Sequence, residues 1–270
     1  MDYKLIALDI DGTLFNSSQE IMPITRKKLI ELQQQGTSIV LASGRDISSL
    51  SSIGKQLKMD QYPQNGYLCL NGLEIYDSSY RLIHNEKKLT KEDALILDEY
   101  AKEFCMDMIF FFAKGLFIIE HGHTGIIEHH FMTRCKEKIL SVDEIPHDYF
   151  DDLRKVAFVQ NRERMSQIKK DVYQKVGSLF EVTLVEPDWI EINPLGLNKG
   201  HALEIFCQLK NISIDKTIAF GNGENDIHML KCAGKGIAMG NSFDSVKEIA
   251  DDICLRADED GIGEYLKRDE

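Results

Sequence analysis

The sequence lacks the features that mark several common protein classes. Its six cysteines include no Cys-x-x-Cys pair, which argues against a zinc site or a disulfide framework and favours reduced, structural thiols. No apolar run approaches the length that spans a bilayer, and the first residues, MDYK, show neither the basic nor the apolar region of a signal peptide. We therefore expect a cytoplasmic protein with no membrane partner.

Basic residues are also few. Lys and Arg total 32 against 44 Asp and Glu, which gives a net charge of -12 at pH 7. Because such a charge repels nucleic acid and anionic membranes, we expect neither as a partner. An anionic substrate would have to be attracted locally, by a few cations. The composition leaves the oligomeric state open.

Short apolar segments alternate with helical segments at both ends of the chain. Residues 4–9 and 37–42 are typical of buried strands, and the helix between them is bounded by Pro23 and Gly36. The alternation returns after residue 198. It predicts an α/β fold with a Rossmann-like, doubly wound parallel sheet formed by residues 1–84 and 189–270. Residues 85–188 mix strand and helix patterns, and we predict that they form an inserted α+β domain.

Asp9-Ile10-Asp11-Gly12-Thr13 follows the first apolar strand. In an extended chain Asp9 and Asp11 lie on the same side, at the carboxyl end of the strand where α/β sheets bind ligands. An ordinary turn with two solvated acids is the alternative interpretation. Two carboxylates this close either share a proton or hold a cation.

Further oxygen ligands follow a later apolar strand, in the segment GNGEND at residues 221–226. A hard cation held by few protein oxygens, together with phosphate and water, is typical of Mg²⁺. The Gly-x-Gly of this segment lacks the third glycine of a dinucleotide site, so we reject that interpretation.

Two other segments are candidate anion sites. Ser43-Gly44-Arg45 joins a strand to a helix, where a hydroxyl and free N–H groups bind anions, although a plain Ser N-cap is the favoured interpretation of these residues taken alone. Lys199, in Asn198-Lys199-Gly200, opens a helix against the helix dipole unless it faces an anion. A solvated lysine is the alternative.

The strings DIDGTL, LASGR, LNKG and GNGEND, in this order, resemble the four motifs of haloacid dehalogenase-like (HAD) phosphatases. The inserted segment between the second and third motifs, the pair Asn71-Gly72 and the segment DEDGI at residues 258–262 resemble the Cof-type sugar-phosphate phosphatases. The resemblance covers nearly the whole chain. It implies a Mg²⁺-dependent phosphatase that forms an aspartyl-phosphate while hydrolysing a small phosphorylated metabolite, with a sugar phosphate as the expected substrate.

The resemblance also implies roles for single residues. Asp9 would be the nucleophile and Asp11 the general acid and base. The Mg²⁺ ligands and their support would be Asp9, the Asp11 backbone carbonyl, Asn222 and Asp226. Phosphate or substrate contacts would come from Ile10, Ser43, Gly44, Arg45, Asn71, Lys199 and Asn225.

Asn222 departs from the family pattern, which usually has Asp at this position, and we expect weaker Mg²⁺ binding as a result. A phosphomutase using the same aspartate and a weakly active phosphate-binding regulatory protein are the alternative functions. The inserted domain is expected to act as a cap that sets substrate specificity. A metal site at His121, His123, His129 and His130 is the less favoured interpretation of those histidines, since their spacing matches no strict ligand pattern.

Overall fold

A computed structural model describes residues 3–127 and 136–268, and the chain divides into two compact units. The first unit comprises Met1–Glu86 and Leu197–Glu270, and the second comprises Lys87–Gly196. Within the described ranges, no helix combines the length and the apolar character needed to cross a membrane.

The elements are numbered in chain order over the described residues. The strands are β1 Leu5–Leu8, β2 Ser38–Ala42, β3 Gly66–Cys69, β4 Glu74–Asp77, β5 Leu82–Asn85, β6 Asp107–Phe112, β7 Gly115–Glu120, β8 Lys136–Lys138, β9 Lys155–Val159, β10 Phe180–Glu186, β11 Trp189–Pro194, β12 Thr217–Gly221, β13 Lys235–Ala238 and β14 Asp252–Ile253. The α-helices are α1 Pro23–Gln34, α2 Ile47–Gln56, α3 Lys91–Phe104, α4 Arg162–Val176, α5 Lys199–Lys210, α6 Ile227–Cys232, α7 Asp244–Lys247 and α8 Gly261–Lys267.

The first unit is built on an eight-stranded sheet in the order β14-β13-β12-β1-β2-β3-β4-β5. The strands from β14 to β3 are parallel, and β4 and β5 add an antiparallel edge. Side chains of β1 alternate between the faces: Leu5 packs in one cluster with Phe206 of α5, and Ile6 packs in the other with Leu29 of α1. Helices therefore cover both faces, which confirms the predicted doubly wound α/β class.

The start of α1 depends on a residue near the other end of the chain. Met22, at the N-cap, provides no side-chain cap. The carboxylate of Asp260 accepts hydrogen bonds from the N–H groups of Ile24 and Thr25 at 2.7 and 2.8 Å and from the Thr25 hydroxyl at 2.6 Å. An anion at this end satisfies N–H groups that have no partner within the helix. The DEDGI segment therefore has a structural role in this fold.

The second unit is built on a six-stranded sheet in the order β10-β11-β9-β6-β7-β8. Its neighbouring strands are antiparallel except for β7 and β8. One face packs against α3 and α4 through a cluster that includes Leu97 and Val172. The opposite face carries a smaller apolar cluster around Ile109 and Trp189.

The boundary of the second unit differs from the sequence prediction. We predicted that the first domain resumes at residue 189, whereas β11 belongs to the second unit. The reason is strand pairing: β11 lies between β10 and β9 and is antiparallel to both. A strand hydrogen-bonded on both sides in this way belongs to that sheet, so the first unit resumes at Leu197.

Candidate active site

Three loops that carry predicted site residues leave the first sheet at the carboxyl ends of its parallel strands. Leu8, the last residue of β1, pairs in parallel register with Phe220 of β12 and Leu41 of β2. The chain continues from these positions into Asp9, into the loop 221–226 and into Ser43. The carboxyl ends of the parallel strands therefore bring the motifs together, as the sequence predicted.

Lys199 is fully buried and joins two of these loops. Its Nζ atom lies 2.6 Å from Oδ1 of Asp9 and 2.6 Å from Oδ1 of Asp226. Lys199 is the first residue of α5, and the Asn198 side chain caps that helix by accepting from the His201 N–H at 3.0 Å. The helix dipole disfavours a cation at this position, and the two carboxylates supply the compensating charge.

The electrostatics of this cluster leave one negative charge uncompensated, because two carboxylates share a single ammonium group. Burial and the neighbouring Asp226 raise the pKa of Asp9 from 3.8 to about 6, against the opposing effect of Lys199. Burial alone would lower the pKa of Lys199, but Asp226 and Asp9 outweigh it, so that pKa is raised. Lys199 is therefore held as an ammonium ion, and a further cation would favour ionised Asp9.

Asp226 shapes its own loop. While its Oδ1 atom contacts Lys199, its Oδ2 atom accepts hydrogen bonds from the N–H groups of Asn222 and Gly223, both at 2.9 Å. A Cβ on Gly221 would lie 2.5 Å from the Cβ of Asp226, so the close turn requires glycine there. Both carboxylate oxygens of Asp226 are thus bound by protein groups, which suits the predicted supporting role better than direct metal ligation.

Asn222 approaches the turn that follows β1. The Thr13 hydroxyl lies 3.0 Å from Oδ1 of Asn222, and a Cβ on Gly12 would lie 2.6 Å from its Nδ2. Gly12 has a φ of +76°, in the left-handed region where glycine is favoured. The predicted ligand loop and the Asp-x-Asp turn are therefore in direct contact.

Asp11 pairs with Arg45. The guanidinium Nη2 and Nε atoms of Arg45 lie 2.5 and 3.0 Å from the two carboxylate oxygens of Asp11, in a forked arrangement. The side chains are 50% exposed for Asp11 and 35% exposed for Arg45. Arg45 was predicted to contact phosphate, whereas in this structure its guanidinium binds the predicted acid and base.

The backbone N–H and carbonyl groups of Ser43 are both hydrogen-bonded. It is buried, its N–H donates to the Leu68 carbonyl at 2.9 Å, and its carbonyl accepts from the Asn71 N–H at 3.0 Å. Its hydroxyl accepts from the Arg45 N–H at 3.3 Å. Leu70 and Asn71 have φ values of 52° and 56°, so the turn beside Ser43 holds two successive non-glycine residues in the left-handed region. Ser43, Arg45 and Asn71 are therefore neighbours.

The other predicted phosphate contacts use backbone groups or lie farther along the loops. The Ile10 side chain is fully buried in the core, so only its backbone could contact phosphate, and its N–H hydrogen-bonds with the Asp9 carboxylate in this structure. Gly44 and Asn225 are partly buried in the loops after β2 and β12. Their contacts with phosphate stay predictions.

In residues 3–127 and 136–268, no group of three or more His, Cys, Asp or Glu residues is arranged to hold a metal ion. Two of the predicted ligands, the Asn222 carboxamide and the Asp11 backbone carbonyl, are not His, Cys, Asp or Glu side chains. His121 instead pairs with Asp98 at 2.8 Å, and Lys102 contacts the same carboxylate, also at 2.8 Å. His123 contributes a backbone N–H to Asp107, and His129 and His130 lie outside the described residues.

Thr13 and Asn241 contact the site although neither was given a predicted role. Thr13 belongs to the first motif, so its position in the turn was a usable signal. Asn241 follows β13 and its side-chain amide donates to the Gly12 carbonyl at 2.7 Å. Nothing in the local sequence around Asn241 indicates this contact, because the two residues are 229 positions apart.

Comparison with known proteins identifies the family of this chain. Residues 6–266 match the haloacid dehalogenase-like hydrolase family. The chain belongs to this family, and the resemblance inferred from the four motifs is confirmed.

The relatives define the class of enzyme. The 5-amino-6-(5-phospho-D-ribitylamino)uracil phosphatase YcsE of Bacillus subtilis is 30% identical over 272 residues, which cover 99% of this chain and 96% of that protein. The HMP-PP phosphatase of Cronobacter sakazakii is 24% identical, over 89% and 85%. A solved haloacid dehalogenase-like hydrolase from Bacteroides thetaiotaomicron has a TM-score of 0.77 and 29% identity, covering 99% and 100%. The protein is therefore a phosphatase with the HAD hydrolase fold.

Proposed function

We propose that this enzyme is a Mg²⁺-dependent phosphatase that transfers the phosphoryl group of a small phosphorylated metabolite to Asp9 and then to water. The observation that carries the proposal is the buried contact of Lys199 with Asp9 and Asp226, at 2.6 Å each. Burying three charged groups opposes folding unless they are well compensated. Such a cluster at the ligand-binding edge of a parallel sheet is typical of a site built for charged substrates.

The available donors fit a hard divalent cation. The Asp9 carboxylate, the Asp11 backbone carbonyl and the Asn222 carboxamide supply oxygen ligands of the kind that Mg²⁺ prefers, and Asp226 supports their arrangement. The uncompensated negative charge beside Lys199 favours a cation at this position. When bound, Mg²⁺ would supply positive charge that neutralises the oxygens of the transferring group.

Asp9 acts as the nucleophile in the proposed reaction. One of its carboxylate oxygens attacks phosphorus, a P–O bond forms, and the bond to the leaving oxygen breaks. Water then attacks the aspartyl-phosphate and releases inorganic phosphate, which restores the Asp9 carboxylate. Lys199 holds Asp9 in place and adds a positive charge beside the transferring group, where electrostatic stabilisation contributes most.

Asp11 donates a proton to the leaving oxygen and later accepts one from the attacking water. Its pair with Arg45 has to open for either step. Because both side chains are substantially exposed, with 50% and 35% of their surface in solvent, the pair is worth only about 0.2–1 kcal/mol. Separating Asp11 from Arg45 therefore requires little free energy, and Arg45 is then available to the substrate.

Phosphate oxygens would be bound by the Ser43 hydroxyl and by nearby backbone N–H groups. Ser43 and Gly44 lead from β2 toward α2, and Ile10 provides a backbone N–H beside Asp9. Asn71 and Asn225 would contribute side-chain amides. These contacts are proposed from position and donor chemistry.

The substrate is proposed to be a sugar phosphate or a similar small polyol phosphate. The relative with the ribitylaminouracil substrate is 30% identical over 99% of this chain, and this similarity supports testing ribityl and sugar phosphates first. The role of the second unit as a specificity-determining cap stays a prediction.

The test is release of inorganic phosphate from a panel of sugar phosphates, nucleotides, flavin mononucleotide and pyridoxal phosphate, with Mg²⁺ and with chelator. Asp9→Asn should abolish release, while the exposed Asp60→Asn should match the parent. Near-parent turnover by Asp9→Asn would refute the nucleophile, and activity unchanged by chelator would refute the metal. Phosphate that returns to the sugar without release to water would indicate a phosphomutase.

A further inference from the structure

The loop after β13, residues 239–243, lies against the backbone of residues 221–226, the Asn222 loop. The Met239 N–H and the Ser242 hydroxyl donate to the Gly221 carbonyl at 3.0 and 3.2 Å. The Phe243 N–H donates to the Asn222 carbonyl at 3.4 Å. This loop, which lacks predicted site residues, therefore holds the start of the Asn222 loop in place.

Asn241, in the same loop, connects it to the turn after β1. Its Nδ2 donates to the Gly12 carbonyl at 2.7 Å, and its Oδ1 accepts from the Ala257 N–H at 2.9 Å. An amide side chain donates only through nitrogen and accepts only through oxygen, so these two contacts together fix its orientation. Asn241 thus connects three segments that are distant in sequence.

The Gly12 carbonyl, to which Asn241 donates, lies next to two predicted features of the site. Gly12 lies between Asp11 and Thr13, with a φ of +76°. The Gly12 carbonyl belongs to the peptide that leads into Thr13, and the Thr13 hydroxyl contacts Asn222 at 3.0 Å. A change in the tilt of this peptide would move both the Asp-x-Asp turn and the contact with Asn222.

We propose that Asn241 is a positioning residue of the active site. By anchoring the Gly12 carbonyl, it fixes the turn that carries Asp9 and Asp11 relative to Asn222. The inference rests on the proposed function, because that function gives these three residues their roles. Asn241 acts through Gly12 and does not touch the reacting atoms.

Two substitutions separate the contacts of Asn241. Asn241→Ala removes both hydrogen bonds, whereas Asn241→Asp keeps an acceptor for the Ala257 N–H and loses the donor to Gly12. We expect both to lower kcat at least about tenfold with KM changed less than about twofold, because small displacements of reacting groups cost up to about 100-fold in rate. Rates are normalised to the folded fraction measured by urea unfolding.

Ser17→Ala is the matched control. Ser17 is a second anchor of the loop after β1, since its N–H and hydroxyl both donate to Oδ1 of Asp258, at 2.9 and 2.7 Å. Its substitution removes the hydroxyl contact and should leave kcat within about twofold of the parent, because Ser17 lies beyond the turn that carries the aspartates. A loss of kcat as large as that of Asn241→Ala would overturn the assignment.

Hydrogen exchange provides a readout that does not require activity. The Thr13 and Leu14 N–H groups donate within the turn to the Ile10 and Asp9 carbonyls, both at 3.2 Å. We expect Asn241→Ala and Asn241→Asp to speed exchange in residues 9–15 and Ser17→Ala to leave it unchanged there. Unchanged exchange, or parent kcat in Asn241→Asp, would overturn the inference, whereas an inactive parent with faster exchange in the variants would refute only the proposed function.

Discussion

Replacing Asp9 with Asn should stabilise the metal-free protein at neutral pH while it abolishes activity. Burial and Asp226 raise the pKa of Asp9 from 3.8 to about 6, so the folded protein binds this proton more tightly than the unfolded chain. The favourable contribution is complete below the unfolded pKa and is lost as the pH rises through the folded pKa. The difference corresponds to roughly 3 kcal/mol. Asn resembles the protonated acid and keeps an oxygen for Lys199.

The assay is urea unfolding in the presence of chelator, between about pH 4 and pH 8. The free energy of unfolding of Asp9→Asn should exceed that of the parent by roughly 3 kcal/mol above about pH 7, and the excess should shrink toward pH 4. Acids distant from Asp9 do not interact with the substituted side chain, so their titration is the same in both proteins and cancels in the difference. Excess stability in the variant is typical of sites that hold charges for function.

Asp260→Asn is the control for this experiment. Asp260 is also a buried aspartate, but its oxygens accept three hydrogen bonds from Ile24 and Thr25. An amide nitrogen facing one of these donors should lower the free energy of unfolding by about 1–3 kcal/mol. The reasoning about Asp9 is refuted if Asp9→Asn is no more stable than the parent at about pH 8, or if its excess stability is the same at pH 4.

Asn222→Asp and Gly12→Ala test the contacts around Asn222, and Gly36→Ala is the control for Gly12→Ala. Asn222→Asp should lower the Mg²⁺ concentration needed for half-maximal activity, because it adds a negative charge to the ligand set, and an unchanged Mg²⁺ requirement would show that Asn222 is not a ligand. Gly12→Ala and Gly36→Ala both place a side chain at positive φ, at a cost of about 1–2 kcal/mol in urea unfolding. Only at Gly12 does the new Cβ meet Asn222, so only Gly12→Ala should also raise the Mg²⁺ requirement, and equal effects would contradict this packing.

Much of the fold is predictable from sequence because buried parallel strands are continuous apolar runs. The run at residues 4–9 contains β1, Leu5–Leu8, and the helix predicted between Pro23 and Gly36 is Pro23–Gln34. The error at the domain boundary has a specific cause. The segment Trp189–Pro194 alternates apolar and polar side chains as a strand does, but it lies just before the LNKG motif, and only its pairing with β9 and β10 shows the unit to which it belongs.

The candidate site is predictable only in part, for a related reason. Local motifs indicate Asp9, Lys199 and the loop 221–226, because each stands at a strand end or a helix start. The pairing of Arg45 with Asp11 was missed, since a basic residue near an anion site suits a phosphate and a carboxylate equally well. The anchoring of Gly12 by Asn241 depends on the packing of two distant loops, and no local pattern encodes such a contact.

The consequence of having Asn at position 222 depends on the buried neighbours that the structure reveals. Lys199 neutralises one of the two carboxylates it contacts, so a single negative charge remains to attract a cation. An Asp at this position would add a second charge, whereas Asn222 adds none. With a divalent cation the cluster would then carry a net positive charge, which favours a phosphate dianion. We therefore expect cation and substrate to stabilise each other in this site, because each compensates the charge that the other introduces.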